Sequence, residues 1–398
     1  MRKLTIVFHH AGGGHRSAAE ALKETLTKQE RPWDVNLLDL QELLDSLDIV
    51  RRFTGLRTQD TYNLILRRGW TRLTPQALQV LKATIRLYHT RIVKALRAYW
   101  EEHPTDMVMS VIPHFNRALA QSLRASLPET PFVTLITDLA DYPSHFWIER
   151  ESEYIIAGTE RAVQQALAMG HSPDNVFRTS GMVLKPAFYQ RPVLDRVAER
   201  KRLGLEPDCP TGIVLFGGHG SNVMVDIAEQ LNQAGDTQSI MLCGHNKELA
   251  AELRSLPAKK AMAVVEFTSD VQHYMSLADF FIGKPGPGSI SEALQFHLPV
   301  IVECNAKTLP QERYNAEWVT ENGFGLVVSN FRDIAPVVHE LIEGSRFEEF
   351  RRNASMYSNR ALFEVSGILE KCDKSPLVSG MDWLGGYSEA GTLLPATV

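Results

Sequence analysis

Residues 213–222 read Ile-Val-Leu-Phe-Gly-Gly-His-Gly-Ser-Asn, an apolar run of β-formers that breaks into glycines at Gly217, Gly218 and Gly220. The same event opens the chain, where Leu4–His9 runs into Gly12, Gly13 and Gly14. A strand that ends in a glycine turn and hands over to a helix is how a doubly wound α/β unit begins, and here one begins twice. Val35–Leu38, Met107–Ile112, Phe132–Thr137 and Tyr154–Ala157 are candidate strands after the first start. Ser239–Leu242, Ala263–Phe267, Phe280–Ile282, Pro299–Val302 and Leu326–Val328 follow the second. Strands alternating with helical patterns predict parallel sheets with crossover helices. The predicted fold is α/β, with two Rossmann-like doubly wound domains over residues 1–183 and 211–360. A proline-marked linker over 184–210, with the mixed-charge run Asp195–Arg202, joins them, and 361–398 form a C-terminal helix and a mobile tail.

A chain of 398 residues, 44% of them hydrophobic, suits two or three packed domains and excludes a disordered protein. Cys209, Cys243, Cys304 and Cys372 are scattered, which argues against a disulfide framework or zinc ribbon and for a reducing compartment. The apolar run Leu4–Phe8 is too short for a signal-peptide core, and no stretch approaches the roughly 20 residues of a membrane span. Charge is uneven. Residues 51–100 carry eleven basic side chains and one acidic one, Asp60, so this segment is +10 and the remainder −15. Within it, residues 75–100 read as an amphipathic helix bracketed by Trp70 and Trp100. Arg67, Arg68, Trp70, Arg72, Lys82 and Arg86 are the candidate contacts to an anionic membrane surface. The alternative is that the helix packs its apolar face in the core and leaves its basic face solvated. Nucleic acid is not an expected partner, because no binding motif accompanies the basic stretch.

Five motifs carry chemistry. Gly13, Gly14 and His15 sit between a strand and a helix, where a backbone turn meets an anion and a histidine can act as general base. Gly217, Gly218 and Ser221 present backbone groups after the second first-strand. Gly283-Lys284-Pro285-Gly286-Pro287-Gly288-Ser289-Ile290-Ser291-Glu292 opens a helix that can hold a diphosphate, with Glu292 one turn in, placed to accept two ribose hydroxyls. Alternatively Glu292 only favours the helix dipole. Gln311 and Glu312, after Pro310, have the chemistry for sugar hydroxyls or are an exposed turn. Asp138 ends a strand, with His145-Phe146-Trp147 beyond it; it faces the cleft or caps the next helix.

These motifs, in this order from Leu4 to Val328, resemble the monogalactosyldiacylglycerol synthases and bacterial diacylglycerol glucosyltransferases, and more distantly MurG. Cys243-Gly244-His245-Asn246-Lys247 is similar to a segment of the lipid branch. The resemblance implies a GT-B fold and inverting transfer of a hexose from a UDP-sugar to a membrane lipid, diacylglycerol first. It places Glu292 on the ribose, Gly286, Gly288 and Ser289 around the diphosphate, and Gln311 and Glu312 on the hexose. Phe267 and Thr268 fall near the uracil, and His15 or Asp138 is the base. His219 and Ser221 interrupt the family's glycine loop, and Pro310 replaces a glycine, which leaves the sugar open. No Asp-x-Asp occurs, so neither metal nor other cofactor is expected. The expected location is cytoplasmic, peripheral on the membrane. The alternatives are MurG-like transfer to another lipid-linked acceptor, a UDP-sugar epimerase, and a non-catalytic nucleotide-sugar-binding protein.

Overall fold

The computed structural model describes residues 1–10, 13–28, 33–44, 74–257 and 259–374. Two six-stranded sheets, parallel throughout, organise the chain. The first contains β1 (Arg2–Phe8), β2 (Trp33–Asp39), β3 (Met107–Ser110), β4 (Phe132–Leu135), β5 (Tyr154–Ala157) and β6 (Val176–Arg178), in the order β2-β1-β3-β4-β5-β6. The second contains β7 (Thr211–Leu215), β8 (Gln238–Leu242), β9 (Met262–Val265), β10 (Phe280–Gly283), β11 (Val300–Glu303) and β12 (Gly325–Val328), in the order β12-β11-β10-β7-β8-β9. The central strands are buried along their whole length, as sheets covered by helices on both faces require.

Strand order reverses between β1 and β3 in the first sheet and between β7 and β10 in the second. At such a switch point the loops leaving the strand ends diverge and open a crevice. The predicted glycine turns leave from β1 and β7, and the Gly283–Glu292 motif leaves from β10, whose Gly283 pairs with Leu215 of β7. Both ligand crevices are thus set by chain order before any side chain is considered.

Two differences from the expected organisation have physical causes. The stretch 184–210 contains a helix, Arg196–Arg202, capped by Asp195, whose carboxylate accepts the N–H groups of Val197 and Ala198. Arg200 on that helix is 2% exposed and donates to the carbonyls of Leu277, Pro207 and Cys209 and to Asp279. These bonds make its helix part of the second domain. The C-terminal helix Ala361–Lys374 returns to the first domain, where Leu362, Val365, Ile368 and Leu369 join the cluster of Leu4, Ile6 and Met109. Glu364 accepts the N–H of Ser180, and Asn359 donates to the Met182 carbonyl, so the two chain crossings run side by side.

The predicted amphipathic helix spans Thr74–Glu102. Its later half packs inward: Ile92, Leu96 and Trp100 are buried with Leu119 and Leu123, and Trp100 donates to Ser122 Oγ at 3.0 Å. Trp100 is therefore a core residue. Arg86, Arg91, Lys94 and Arg97 lie on the exposed side. Arg67, Arg68, Trp70 and Arg72 lie outside the described residues, as does the side chain of Lys82. No described helix is long and apolar enough to cross a membrane.

Candidate active site

In the first domain, the candidate site is built around the end of β4. Thr137 and Asp138 follow this strand after Ile136. Thr137 Oγ1 lies 3.0 Å from His15 Nδ1, in the first turn of the helix Gly14–Lys28. Gly13 enters that helix at φ 79°, a left-handed conformation that suits glycine, and Gly12 lies outside the described residues. Burial, followed by the charge of neighbouring His9, holds His15 well below the usual histidine range, although a backbone bond to Val111 opposes this. His15 is thus neutral at physiological pH. Its ring lies edge-on to His9 at 4.5 Å and 5.6 Å from Trp147.

Asp138 is 8% exposed and does not cap a helix. Its Oδ2 accepts the Trp147 indole N–H at 2.7 Å. Burial raises its carboxyl to about 7, against the stabilising indole bond, and the charge of Glu312 raises it further. Trp147 is held in turn by Asp141, whose carboxylate accepts the N–H groups of His145, Phe146 and Trp147 at 3.0, 2.9 and 2.6 Å. His145 itself is exposed and takes a positive φ of 60° at this turn. A cis Tyr142–Pro143 bond lies in the same loop.

In the second domain, the helix Pro287–Gln295 begins with Gly286 as its N-cap, with no side-chain cap and no acidic residue in the first turn. Ser289 Oγ donates to the Gly286 carbonyl at 3.2 Å. The first-turn N–H groups at Gly288 and Ser289 are the kind a helix offers to an anion. Asn315, fully buried, donates to the Pro285 carbonyl at 2.7 Å and fixes the loop from behind. Glu292 is partly buried further along; burial raises its carboxyl to about 7, with Lys185 the neighbour that favours its charge. Gln311 and Glu312 occupy the short turn Pro310–Glu312 before the helix Arg313–Glu321. Glu312 is buried and paired with Lys284 at 3.0 Å.

The candidate residues after β7 and β9 form a second group. Gly217, at φ 72°, opens the turn after β7, and the Gly218 carbonyl accepts the His245 N–H at 2.9 Å. A side chain at Gly244 would run into the Gly218 carbonyl, so that close approach needs glycine. Ser221 Oγ accepts the Val223 N–H at the start of the next helix. Phe267, 59% exposed, stacks on His245 at 3.9 Å and 15°, and Thr268 Oγ1 accepts the Asp270 N–H. Exposed stacked rings of this sort offer a flat apolar face to a base.

The structure therefore brings together His15, Thr137, Asp138 and Trp147 in the first domain, and packs the loop after Asp138 on the second domain, where Leu139 and Ala140 share an apolar cluster with Ile213, Phe281 and Ile290 and the charges of Lys284 and Glu312 reach the Asp138 carboxyl. Sequence reasoning missed Asp141 as the organiser of the loop. An aspartate followed by Tyr142-Pro143 was the available signal for a turn in which a carboxylate collects backbone N–H groups.

The chain matches two family models: "Monogalactosyldiacylglycerol (MGDG) synthase" over residues 15–183 and "Glycosyltransferase family 28 C-terminal domain" over residues 213–368. It is 27% identical to the chloroplastic monogalactosyldiacylglycerol synthase of Spinacia oleracea, an alignment covering 85% of this chain and 66% of the spinach protein. The chain thus spans a little under two thirds of that relative's length. Among solved structures it is similar to MurG of Acinetobacter baumannii, with a TM-score of 0.62 at 14% identity over 93% of this chain and 100% of that one. It is similar also to S. aureus MnaA, solved with UDP, with a TM-score of 0.58 at 15% identity over 94% and 99%. Both structures share the two-domain GT-B architecture expected from the repeated strand-and-glycine pattern. With its first half matched by the one model and its second half by the other, the chain is a glycosyltransferase of MurG-like GT-B fold that is similar to the monogalactosyldiacylglycerol synthases.

Proposed function

We propose that the protein transfers a hexose from a UDP-sugar to the hydroxyl of diacylglycerol at an anionic membrane surface, with inversion at the anomeric carbon. The observation that carries this reading is the packing of the Asp138 loop on the second domain, where Leu139 and Ala140 share an apolar cluster with Ile213, Phe281 and Ile290, within reach of the charges of the Lys284–Glu312 pair. One half supplies a buried carboxyl near neutrality and the other a polar pair beside an uncapped helix start. Matched relatives in the plant chloroplast carry the lipid-synthase name, and the MnaA structure was solved with UDP; both favour the same donor and acceptor.

In this reading Asp138 is the base. A carboxyl raised to about 7 is half ionised at neutral pH, close to the optimum for general base catalysis. Its Oδ2 is committed to Trp147, which leaves Oδ1 for the acceptor hydroxyl. His15, with Nδ1 committed to Thr137, shapes the wall beside it. Oδ1 takes the hydroxyl proton as the hydroxyl oxygen bonds to the anomeric carbon. The bond from that carbon to the diphosphate oxygen breaks, and UDP leaves with the electron pair. Gly286, Gly288 and Ser289 meet the diphosphate through the helix start, Glu292 holds the ribose, and Gln311 and Glu312 hold the hexose. Phe267 and Thr268 flank the uracil, with Gly217, Gly218 and Ser221 closing the donor loop. Gly13, Gly14 and His145 line the acceptor side. Helix-end N–H groups take the place of a divalent cation, so full activity in excess EDTA is expected. Arg86, Arg91, Lys94 and Arg97 supply a basic face toward anionic lipid whose apolar counterpart is already buried, which makes the attraction electrostatic and salt-sensitive.

The test is the stereochemistry of the product. Incubation with UDP-galactose or UDP-glucose and diacylglycerol in anionic vesicles should give a β-linked monoglycosyl lipid by proton NMR. An α-linked product would exclude the single displacement.

A further inference from the structure

The acceptor loop that carries Asp138 is also tied to the opposite domain. Arg161 donates through Nε and a terminal nitrogen to the Tyr142 hydroxyl at 3.0 and 2.6 Å. The same guanidinium lies 5.8 Å from the Tyr142 ring centre and 5.6 Å from that of Tyr314, in the donor domain. The two tyrosine rings are 5.7 Å apart at 48°. Tyr314 is 7% exposed and donates to Glu321 at 3.3 Å, one helix face along. One turn beyond Arg161, Gln165 both accepts the Asp141 N–H at 2.8 Å and donates to the Asp141 carbonyl at 3.1 Å. Residues four apart share a helix face, so the helix Glu160–Ala168 grips the loop at two consecutive residues. Leu139 and Ala140, in the same loop, are buried in one apolar cluster with Ile213, Phe281 and Ile290 of the donor domain.

The chemistry of this junction is specific. Tyr314 lies two residues after Glu312, at the start of the helix that presents the hexose-binding pair. Tyr142 lies four residues after Asp138 and next to Asp141, which holds Trp147 on the Asp138 carboxylate. A guanidinium that is hydrogen-bonded to one phenol and set against the ring of a second is a directional contact that is lost when the two separate. We propose that Arg161, Tyr142 and Tyr314 form a clasp across the cleft that sets Asp138 in place only when the two domains are closed on each other. They are positioning residues for transfer, acting through the Asp138–Trp147 loop. This inference rests on the transfer reading above.

Arg161 is exposed, so Arg161→Gln removes the clasp without opening a core. Three quantities are read on the full chain: kcat and KM with UDP-galactose and diacylglycerol vesicles, UDP affinity by calorimetry, and hydrogen exchange of the free protein. The clasp predicts about a tenfold fall in kcat, UDP affinity unchanged within about twofold, and faster exchange in both 138–147 and 313–321. Tyr142→Phe, which deletes the hydroxyl acceptor, should do the same. Unchanged exchange in either segment of Arg161→Gln overturns the clasp, as does a loss of UDP affinity in step with kcat. Exchange and UDP binding need no turnover. If no UDP-sugar supports transfer, coupled loss of protection still upholds the clasp while the transfer reading fails alone.

Discussion

Replacing Trp147 with phenylalanine tests the electrostatics of Asp138 directly. Trp147 is fully buried and donates its indole N–H to Asp138 Oδ2 at 2.7 Å. Phenylalanine keeps an aromatic ring in the pocket and deletes that donor. A hydrogen bond to a charged group is worth about 1.5–3 kcal/mol, which at about 1.36 kcal/mol per unit corresponds to roughly one to two pK units. The Asp138 carboxyl, already at about 7 through burial, should move upward by that amount. A base works when deprotonated, so the acidic limb of the kcat profile moves to higher pH. At pH 7 the ionised fraction drops from about a half to between roughly a tenth and a hundredth, a loss of about 5- to 50-fold that alkaline pH restores. The assay is UDP release at saturating donor and acceptor from pH 5.5 to 10, with thermal melting as a control for folding. A folded variant whose acidic limb stays where the wild type's lies would refute the assignment. So would a loss that persists undiminished at high pH.

Further outcomes follow from the same geometry. Because burial raises Asp138 above its unfolded value, the group costs nothing below about pH 4 and destabilises the fold increasingly as pH rises to about 7. Asp138→Asn should therefore abolish transfer yet stabilise the protein at pH 8 by up to about 4 kcal/mol, with the gain vanishing near pH 4 in denaturant titrations. For Glu292→Gln, UDP affinity should fall about tenfold or more at pH 8 in calorimetry, and the wild-type advantage should shrink below pH 7, where Glu292 protonates. Neutralising Arg86, Arg91, Lys94 and Arg97 together should weaken sedimentation with anionic vesicles by about tenfold or more at low salt, while soluble UDP binding stays constant.

Most of the fold was legible because the central strands are fully buried. Runs such as Tyr154–Ala157 and Phe280–Ile282 have no polar face and can only be interior strands. β6 escaped because Val176–Arg178 is three residues long, half-exposed and without an apolar run. The helix Arg196–Arg202 read as linker because its anchor is an arginine, a residue that composition assigns to the surface. Arg200 is buried by partners such as Leu277 and Asp279, more than seventy residues away. Of the site, Asp138 and Glu292 were legible from their place after a strand and inside a helix. Their shared elevation to about 7 was not, because it comes from burial that only the packed domains create. Tyr142, Arg161 and Tyr314 carried no local signature beyond a proline turn, and the contact of Arg161 and Tyr142 with Tyr314 exists only where the two domains pack.

The central claim is that donor cleavage is coupled to a lipid hydroxyl through Asp138. Its most direct test is the initial rate of UDP release from UDP-galactose and UDP-glucose, with and without diacylglycerol in anionic vesicles, for the wild type and Asp138→Asn. The account predicts release that requires the lipid and collapses in the variant. Release that is indifferent to diacylglycerol, or that survives intact in Asp138→Asn, would contradict it.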